Sequence, residues 1–293
     1  MIFKSFDEKE IYIHEWLNAE NPKGIVQIVH GMAEHGKRYE KFAEYLNVHG
    51  YYVIADDHRG HGKTDRDSLG FSAGDMFADT VRDEAAITDY YRKKYPDLNY
   101  FVFGFSYGSF LTQSYISKYG DKIDGAIIGG SSYKKDFEVY LGSIVARLKG
   151  EEEPAKLIEK RSFGAYAKQF EDRQWLSIDA ENNAAYAKDP FSGFACSNRF
   201  YRDFFKGLKS LYTKTYIAGL EKALPLLLVS GENDPVGSMG KGVRKLYRFY
   251  TEKAGMKKVS LTLFQNSRHE FLNEKQDREM KWSTVLQFLE KNM

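Results

Sequence analysis

The chain lacks most features that would mark a secreted, membrane-spanning or nucleic-acid-binding protein. Its 293 residues include one cysteine, Cys196, so no disulfide can form within the chain. The 43 basic and 41 acidic residues nearly cancel, which leaves no strong field to attract nucleic acid. No apolar run approaches a membrane-spanning length, and acidic residues stand where a signal peptide needs an apolar run. These absences predict a cytoplasmic protein with no nucleic-acid partner, and they leave the oligomeric state open.

What the chain does contain is organised around the stretch from Tyr100 to Ser109. Its first residues are aromatic or β-branched, which is typical of a short buried strand. A G-x-S-x-G pattern follows at 104–108, and apolar residues then return at helical spacing. A serine on a tight strand-to-helix turn needs neighbours with almost no side chain, and glycine supplies them. This context predicts that Ser106 is a nucleophile rather than an ordinary helix cap.

Strand and helix patterns alternate along most of the chain. Strands are predicted at 10–17, 25–29, 51–55, 100–103, 125–130, 225–230 and 259–264. Because helices separate most of them, we expect an α/β fold with a mainly parallel sheet and helices on both faces. The alternation stops between about Tyr133 and Tyr216, where the chain is rich in charge and aromatics. We therefore predict a core formed by residues 1–132 and 217–293, interrupted by a helical cap at 133–216.

The first helix predicted for the cap has one apolar face. Its members, at helical spacing, are Phe137, Tyr140, Leu141, Ile144, Val145 and Leu148. Two interpretations stay open for this face. It packs against the rest of the cap, or part of it lines an acyl tunnel or makes transient contact with a lipid surface.

His269 is the predicted base, since a serine hydroxyl needs a base within hydrogen-bond reach to become a nucleophile. In a fold with this type of serine turn, the expected chain order is serine, acid, histidine. Six of the seven histidines precede Ser106, and His269 alone follows it, just after the last predicted strand. That position is at the carboxyl end of the sheet, where ligands bind in such folds.

Asp234 is the predicted acid because it directly follows the strand at 225–230, at the same end of the sheet. It would hold the histidine tautomer and stabilise the imidazolium. Glu232 is the nearby rival. A structural alternative for Asp234 is an Asx turn before Pro235.

An oxyanion intermediate needs two backbone N–H groups. One is expected from Tyr107, the residue after the serine, and the other from Met32, in the loop after the strand at 25–29. Gly31 would let that loop approach the substrate closely.

Two groups of histidines and acids invite a metal interpretation. They are His30 and His35 with Glu34, and Asp57 with His58 and His61. Neither has the H-E-x-x-H spacing on a helix, and loop histidines among glycines typically stabilise turns. The segment 60–64 matches only part of a phosphate-binding loop. We therefore predict no metal and no cofactor.

Five segments together resemble a known family. They are H-G-M-A-E-H at 30–35, D-H-R-G-H-G-K-T at 57–64, G-F-S-Y-G-S at 104–109, G-E-N-D-P-V-G at 231–237 and R-H-E-F-L-N-E at 268–274. They are similar to the α/β-hydrolases of the monoacylglycerol lipase and bacterial lysophospholipase group, also described as serine aminopeptidase-like hydrolases. W-L-S at 175–177 and D-P-F-S-G-F at 189–194, in the predicted cap, also resemble this group. The resemblance spans nearly the whole chain and implies an α/β-hydrolase fold.

The resemblance also implies roles for individual residues. The implied nucleophile, acid and base are Ser106, Asp234 and His269, and the implied oxyanion donors are Met32 and Tyr107. In the monoacylglycerol lipases a glutamate and an arginine after the first H-G bind the glycerol head group, and Glu34 and Arg38 occupy the matching positions. The alternative for this pair is a surface ion pair at i, i+4.

The chain departs from the family pattern at two places. Phe105 and Tyr107 stand where a histidine and a methionine often flank the serine, and Phe271 and Leu272 replace a polar residue after the histidine. These departures leave esters other than monoacylglycerols open as substrates.

The sequence thus predicts a serine carboxylic-ester hydrolase that works through an acyl-enzyme. Its expected substrate is a small-molecule acyl ester such as a monoacylglycerol or a lysophospholipid. Two alternatives stay open: an aminopeptidase or acyltransferase on the same three residues, and a non-catalytic binding protein with the hydrolase fold.

Overall fold

A computed structural model describes residues 1–134 and 150–293. Its strands are β1 (Ile2–Lys4), β2 (Glu10–Trp16), β3 (Gly24–Val29), β4 (Tyr51–Asp56), β5 (Asn99–Phe105), β6 (Gly125–Gly129), β7 (Leu226–Gly231) and β8 (Val259–Phe264). They form one sheet in the order β1-β2-β4-β3-β5-β6-β7-β8. The six strands from β4 to β8 in this order pair in parallel, and β1 and β2 add an antiparallel edge.

Helices connect the parallel strands. They are α1 (Glu40–Val48), α2 (Ala78–Lys94), α3 (Tyr107–Tyr119), α4 (Lys156–Ala167), α5 (Ala180–Lys188), α6 (Asn198–Ser210), α7 (Lys214–Gly219), α8 (Lys241–Arg248) and α9 (Arg278–Lys291). A π-helical turn at Phe249–Lys253 extends α8, and short 3-10 turns lie at Gly36–Tyr39 and Gly120–Lys122. Within the described residues, no helix combines the length and the apolar content needed to cross a membrane.

The sheet is covered on both faces, and the sequence of β5 shows why. Phe101 and Phe103 project into one apolar cluster, while Tyr100 and Val102 project into the other. This alternation follows from the two-residue period of a strand. Because neither face meets water, β5 has apolar residues at nearly every position, as parallel strands commonly do.

The predicted α/β fold with its mainly parallel sheet is therefore confirmed. The short edge strand β1 was not expected, because three residues give no readable alternation. The strand β5 also runs to Phe105, beyond the predicted end, so the serine turn starts only at the last strand residue.

The segment between β6 and β7 carries the helices assigned to the cap. Of the predicted cap, 133–216, the described part holds α4, α5, α6 and the start of α7. The apolar face predicted for Phe137 to Leu148 lies outside the described residues. The bounds of the cap remain a proposal.

The parallel arrangement brings four loops to one edge of the sheet. The loops after β3, β5, β7 and β8 all leave from carboxyl ends of neighbouring parallel strands. These loops contain Met32, Ser106, Asp234 and His269 respectively. Residues far apart in the chain are thus placed where their side chains can meet.

Candidate active site

Ser106 lies on a strained turn between β5 and α3. Its backbone angles are φ 52° and ψ −117°, a conformation that a residue with a side chain rarely adopts. A Cβ at Gly108 would lie 1.9 Å from the carbonyl oxygen of Val29, and one at Gly104 would lie 2.1 Å from Oγ1 of Thr112. Both glycines of the motif are therefore required by contacts between the turn and its surroundings.

The three predicted side chains form one hydrogen-bonded chain. The Ser106 hydroxyl donates to Nε2 of His269 across 2.9 Å, and Nδ1–H of His269 donates to Oδ2 of Asp234, also across 2.9 Å. With its proton on Nδ1, the imidazole leaves Nε2 free to take the serine proton. This is the arrangement that activates a serine hydroxyl.

Asp234 is fully buried, and further hydrogen bonds hold its carboxylate. The Ser230 hydroxyl donates to Oδ2 across 3.2 Å, and the Val236 N–H donates to Oδ1 across 2.8 Å. The rival Glu232 instead faces solvent and pairs with Arg244 at 3.3 Å. Of the two acids considered from the sequence, Asp234 is the one in contact with His269.

The environment of His269 makes its imidazole more basic than usual. Burial by itself would lower the pKa of His269, since it disfavours the charged ring. The negative charge of Asp234 and its hydrogen bond outweigh burial, so the pKa of His269 is raised above its ordinary value. The ring is thus well suited to take a proton and to be held as an imidazolium.

The two predicted oxyanion donors border the same space as Ser106 and His269. Tyr107 is the first residue of α3, so its N–H has no partner within the helix. Met32 follows Gly31, where an added Cβ would lie 3.2 Å from Cβ of Ser106. The loop after β3 therefore packs directly against the serine.

Glu34 and Arg38 lie in a buried network rather than on the surface. Their ion pair at i, i+4 measures 2.7 Å, and the side chains are 4% and 8% exposed, which excludes the surface ion pair considered from the sequence. Arg38 also holds both carboxylate oxygens of Glu270, at 2.6 and 2.9 Å. Glu34 borders the cavity at Ser106, whereas Arg38 is not among its described lining residues.

A cavity of about 990 Å³ opens beside Ser106 and His269. Its described lining is mostly apolar and aromatic and includes Phe105, Phe110, Phe163, Trp175, Phe204 and Leu208. The ring of Trp175 lies 5.4 Å from that of His269, between centroids. The volume and the lining are typical of a site for a small apolar ligand with a few polar anchors.

Sequence reasoning did not identify Trp175 and Glu270 as site residues. The sequence held a signal for both, since Trp175 begins the W-L-S segment and Glu270 directly follows His269. The N–H of Glu270 donates to the carbonyl of Leu176 across 2.7 Å. This bond ties the histidine loop to the W-L-S segment of the cap.

Neither set of metal ligands considered from the sequence is brought together. Among the described residues, the groups with ligand atoms in common reach are instead His14, His35 and Asp57, and Asp56, His58 and Glu84. In each group the histidine is already hydrogen-bonded to one acid: His14 contacts Asp57 at 3.0 Å, and His58 contacts Asp56 at 2.7 Å. These contacts make both groups internal hydrogen-bond networks.

The mainly parallel sheet, the strained serine turn and the chain of serine, histidine and aspartate define an α/β-hydrolase of the serine type. A sequence model of the family described as "Serine aminopeptidase, S33" matches residues 20–276. The chain belongs to this family.

Known proteins of similar sequence and structure agree with this assignment. The chain is 24% identical over 264 residues to a monoacylglycerol lipase of Mycolicibacterium smegmatis, covering 90% of this chain and 87% of the relative. It is 33% identical to the human monoglyceride lipase over 102 residues, about a third of each protein. A carboxyl esterase from Bacillus coagulans, solved with glycerol, superposes with a TM-score of 0.90 at 28% identity, covering 100% of this chain and 97% of the esterase.

Proposed function

We propose that the protein is a carboxylic-ester hydrolase in which Ser106 is acylated and then freed by water. The observation that carries this proposal is the hydrogen-bonded chain from Ser106 through His269 to Asp234, at the wall of an apolar cavity. The names of the similar proteins, lipases and an esterase, support the same reaction class.

The proposed mechanism follows from the direction of the hydrogen bonds. Ser106 Oγ attacks the ester carbonyl carbon while Nε2 of His269 takes its proton, and Asp234 stabilises the resulting imidazolium. The carbonyl oxygen becomes an oxyanion, which accepts hydrogen bonds from the N–H groups of Met32 and Tyr107. The imidazolium then protonates the departing alcohol. Water repeats the sequence and releases the acid, and no external cofactor takes part in these steps.

The cavity suits an acyl ester of a small polar alcohol. Its aromatic lining can accept an acyl chain, while Glu34 and Glu270 provide polar groups on the same wall. We propose that Glu34 contacts the alcohol portion and that Arg38 holds Glu34 in place. Monoacylglycerols and lysophospholipids fit this description.

The charges near Ser106 favour esters over peptides. An aminopeptidase needs a free acid to hold the substrate amine, but Arg38 contacts Glu34 and Glu270. Glu159, the third acid among the described residues that line the cavity, accepts hydrogen bonds from the Cys196 N–H and the Tyr201 hydroxyl. Glu34 also accepts hydrogen bonds from the Gly31 N–H, at 2.5 Å, and from the Tyr39 hydroxyl, at 2.8 Å. The ammonium group of a peptide substrate would therefore meet carboxylates that are already hydrogen-bonded to other groups.

The test is a substrate panel with matched acyl and aminoacyl groups. We expect turnover of aryl esters, monoacylglycerols and lysophospholipids, and no turnover of aminoacyl amides. Turnover confined to the amides would overturn the ester assignment. A folded protein that neither turns over any substrate nor reacts with a fluorophosphonate would indicate a non-catalytic member of the fold.

A further inference from the structure

The backbone around Met32 is fixed on both sides by side chains. The preceding N–H, of Gly31, donates to Oε1 of Glu34 across 2.5 Å. The following N–H, of Ala33, donates to Nε2 of His61 across 3.1 Å. The amides on either side of Met32 are thus held by partners other than substrate.

Ala33 has an unusual conformation that its neighbours must sustain. Its φ is 52°, in the left-handed region that a residue with a Cβ rarely adopts. Its carbonyl oxygen accepts two hydrogen bonds from the cap, from the Tyr186 hydroxyl at 3.0 Å and from the Gly193 N–H at 2.9 Å. A strained residue persists only where its surroundings over-determine it, and here the peptide groups of Ala33 have three partners.

We propose that Tyr186 of the cap and His61 of the core are positioning residues for the reaction, because together they fix the Ala33 backbone and so aim the Met32 N–H at the oxyanion. This inference rests on the proposed function, since it assigns a task to residues around the oxyanion site. The cap then completes the site as well as covering the cavity.

The hydrogen-bonding state of both side chains suits this task. Nδ1–H of His61 donates to the carbonyl of Arg59 across 3.0 Å, so Nε2 is the acceptor. Burial, aided by the positive charge of His58, lowers the pKa of His61 to about 3, so the ring stays a neutral acceptor. Burial, followed by the charge of Glu270, raises the pKa of Tyr186, so its hydroxyl stays a donor.

Tyr186 is itself held in place. The Arg38 guanidinium stacks on its ring, 4.7 Å from the centroid. Arg38 in turn contacts Glu34, whose other oxygen holds Gly31. The turn from Gly31 to Glu34, the ring of Tyr186 and Arg38 therefore form one connected unit.

The primary test is Tyr186→Phe, which removes a single oxygen atom and keeps the ring stacked on Arg38. We expect kcat for an aryl ester to fall about tenfold, because Gly193 still supplies one bond and a misplaced group costs up to about a hundredfold. KM should stay unchanged. Affinity for a boronic acid, which forms a tetrahedral adduct with serine, should fall by the same factor, whereas affinity for the planar carboxylate product should not change.

The matched control is Asn183→Ala, also on α5. It removes a bond within the cap, from Asn183 Nδ2 to the carbonyl of Ser177 at 2.9 Å, without touching Ala33. The control should lower the melting temperature at least as much as Tyr186→Phe does, yet leave kcat and boronic-acid affinity unchanged. Equal losses of kcat in both variants would reduce Tyr186 to a structural role and overturn the proposal.

His61 gives an independent second test. In His61→Gln the amide oxygen can take the place of Nε2, whereas His61→Leu cannot accept a hydrogen bond. The proposal predicts that the glutamine variant keeps more boronic-acid affinity than the leucine variant, measured per serine that reacts with a fluorophosphonate. Equal affinity in the two would contradict it. If Ser106 of the unaltered protein did not react with a fluorophosphonate, the proposed function itself would fail. Failure of the proposed function is therefore distinguishable from failure of the positioning role.

Discussion

The molecule uses histidine in two contrasting ways on the two sides of its serine loop. His269 lies at the cavity, with a hydroxyl on one nitrogen and a carboxylate on the other. His30, His58 and His61, which we call the histidine cluster, are buried around the backbone of the loops after β3 and β4. The same side chain has the proposed task of proton transfer in one place and fixes loop geometry in the other.

The partners of each ring account for this difference. In the histidine cluster, every ring has at least one backbone partner: His30 accepts from the His58 N–H at 3.0 Å, and His58 donates to the His30 carbonyl at 3.1 Å. His58 also contacts the Asp56 carboxylate, but among the described residues no ring of the cluster contacts a serine hydroxyl. Burial, and then the charge of His58, lowers the pKa of His30, so that ring stays neutral. His269 alone combines a reactive hydroxyl with an open cavity. A histidine's partners, rather than its burial, therefore decide its role.

The largest effect that this contrast predicts is the loss of activity in His269→Ala. Since serine loses its base, kcat should fall by about 10⁶, as when either member of a serine–histidine pair is removed. Steady-state turnover of an aryl ester measures it. The circular dichroism spectrum should be unchanged, and activity within a factor of ten of the unaltered protein would exclude His269 as the base.

The next effect tests the acid. Asp234→Asn should lower kcat by about 10⁴, because the amide favours the wrong tautomer of His269. Glu232→Gln is the matched control, since that carboxylate is exposed and pairs with Arg244. The control should retain full activity. Loss of activity in Glu232→Gln but not in Asp234→Asn would assign the role of the acid to Glu232.

The histidine cluster should respond to substitution through stability. His58 lies between two buried acids, 2.7 Å from Asp56 and 3.3 Å from Glu84, and burial together with the charge of Asp56 raises the pKa of Glu84. Burial disfavours the charged ring of His58, but Asp56 outweighs burial and raises the pKa of His58. His58→Ala leaves the buried Asp56 carboxylate without its cation, so the free energy of unfolding should fall by about 3–5 kcal/mol. Urea denaturation measures this loss, and an unchanged midpoint would contradict the ion-pair role.

The smallest effect is a pH dependence in the unaltered protein. His269 must be neutral to accept the serine proton, and its pKa is raised by Asp234. As pH falls below that raised pKa, kcat/KM should therefore fall about tenfold per unit. In Asp234→Asn the residual activity should persist to lower pH, because the group that raises the pKa of His269 is gone. An unshifted acid limb would contradict this explanation.

Much of the fold and the nucleophile could be predicted from sequence because local patterns carry them. Glycines at 104 and 108 indicate the serine turn, and apolar runs indicate the parallel strands. Chain order selected His269, which the structure places after β8 and within 2.9 Å of the Ser106 hydroxyl. The predicted roles of Ser106, His269 and Asp234 now have the geometry for chemistry, although those roles remain a proposal.

The sequence could not show contacts between distant segments. Glu34 and Arg38 gave a pattern consistent with a surface pair, and only the third partner, Glu270, makes them a buried network. The bond from Tyr186 to Ala33 joins residues 153 positions apart and leaves no local signal. Such contacts depend on how the cap packs against the core, which the hydrophobic periodicity of the sequence does not encode.

The most direct test of the central claim is the mass of the Ser106 peptide after rapid acid quenching of a reaction with an activated acyl ester. The proposed acyl-enzyme mechanism predicts a mass increase equal to the acyl group on that peptide during turnover, and none in Ser106→Ala, which should also be inactive. Turnover that continues in Ser106→Ala, or an acyl group found on another residue and not on Ser106, would contradict it.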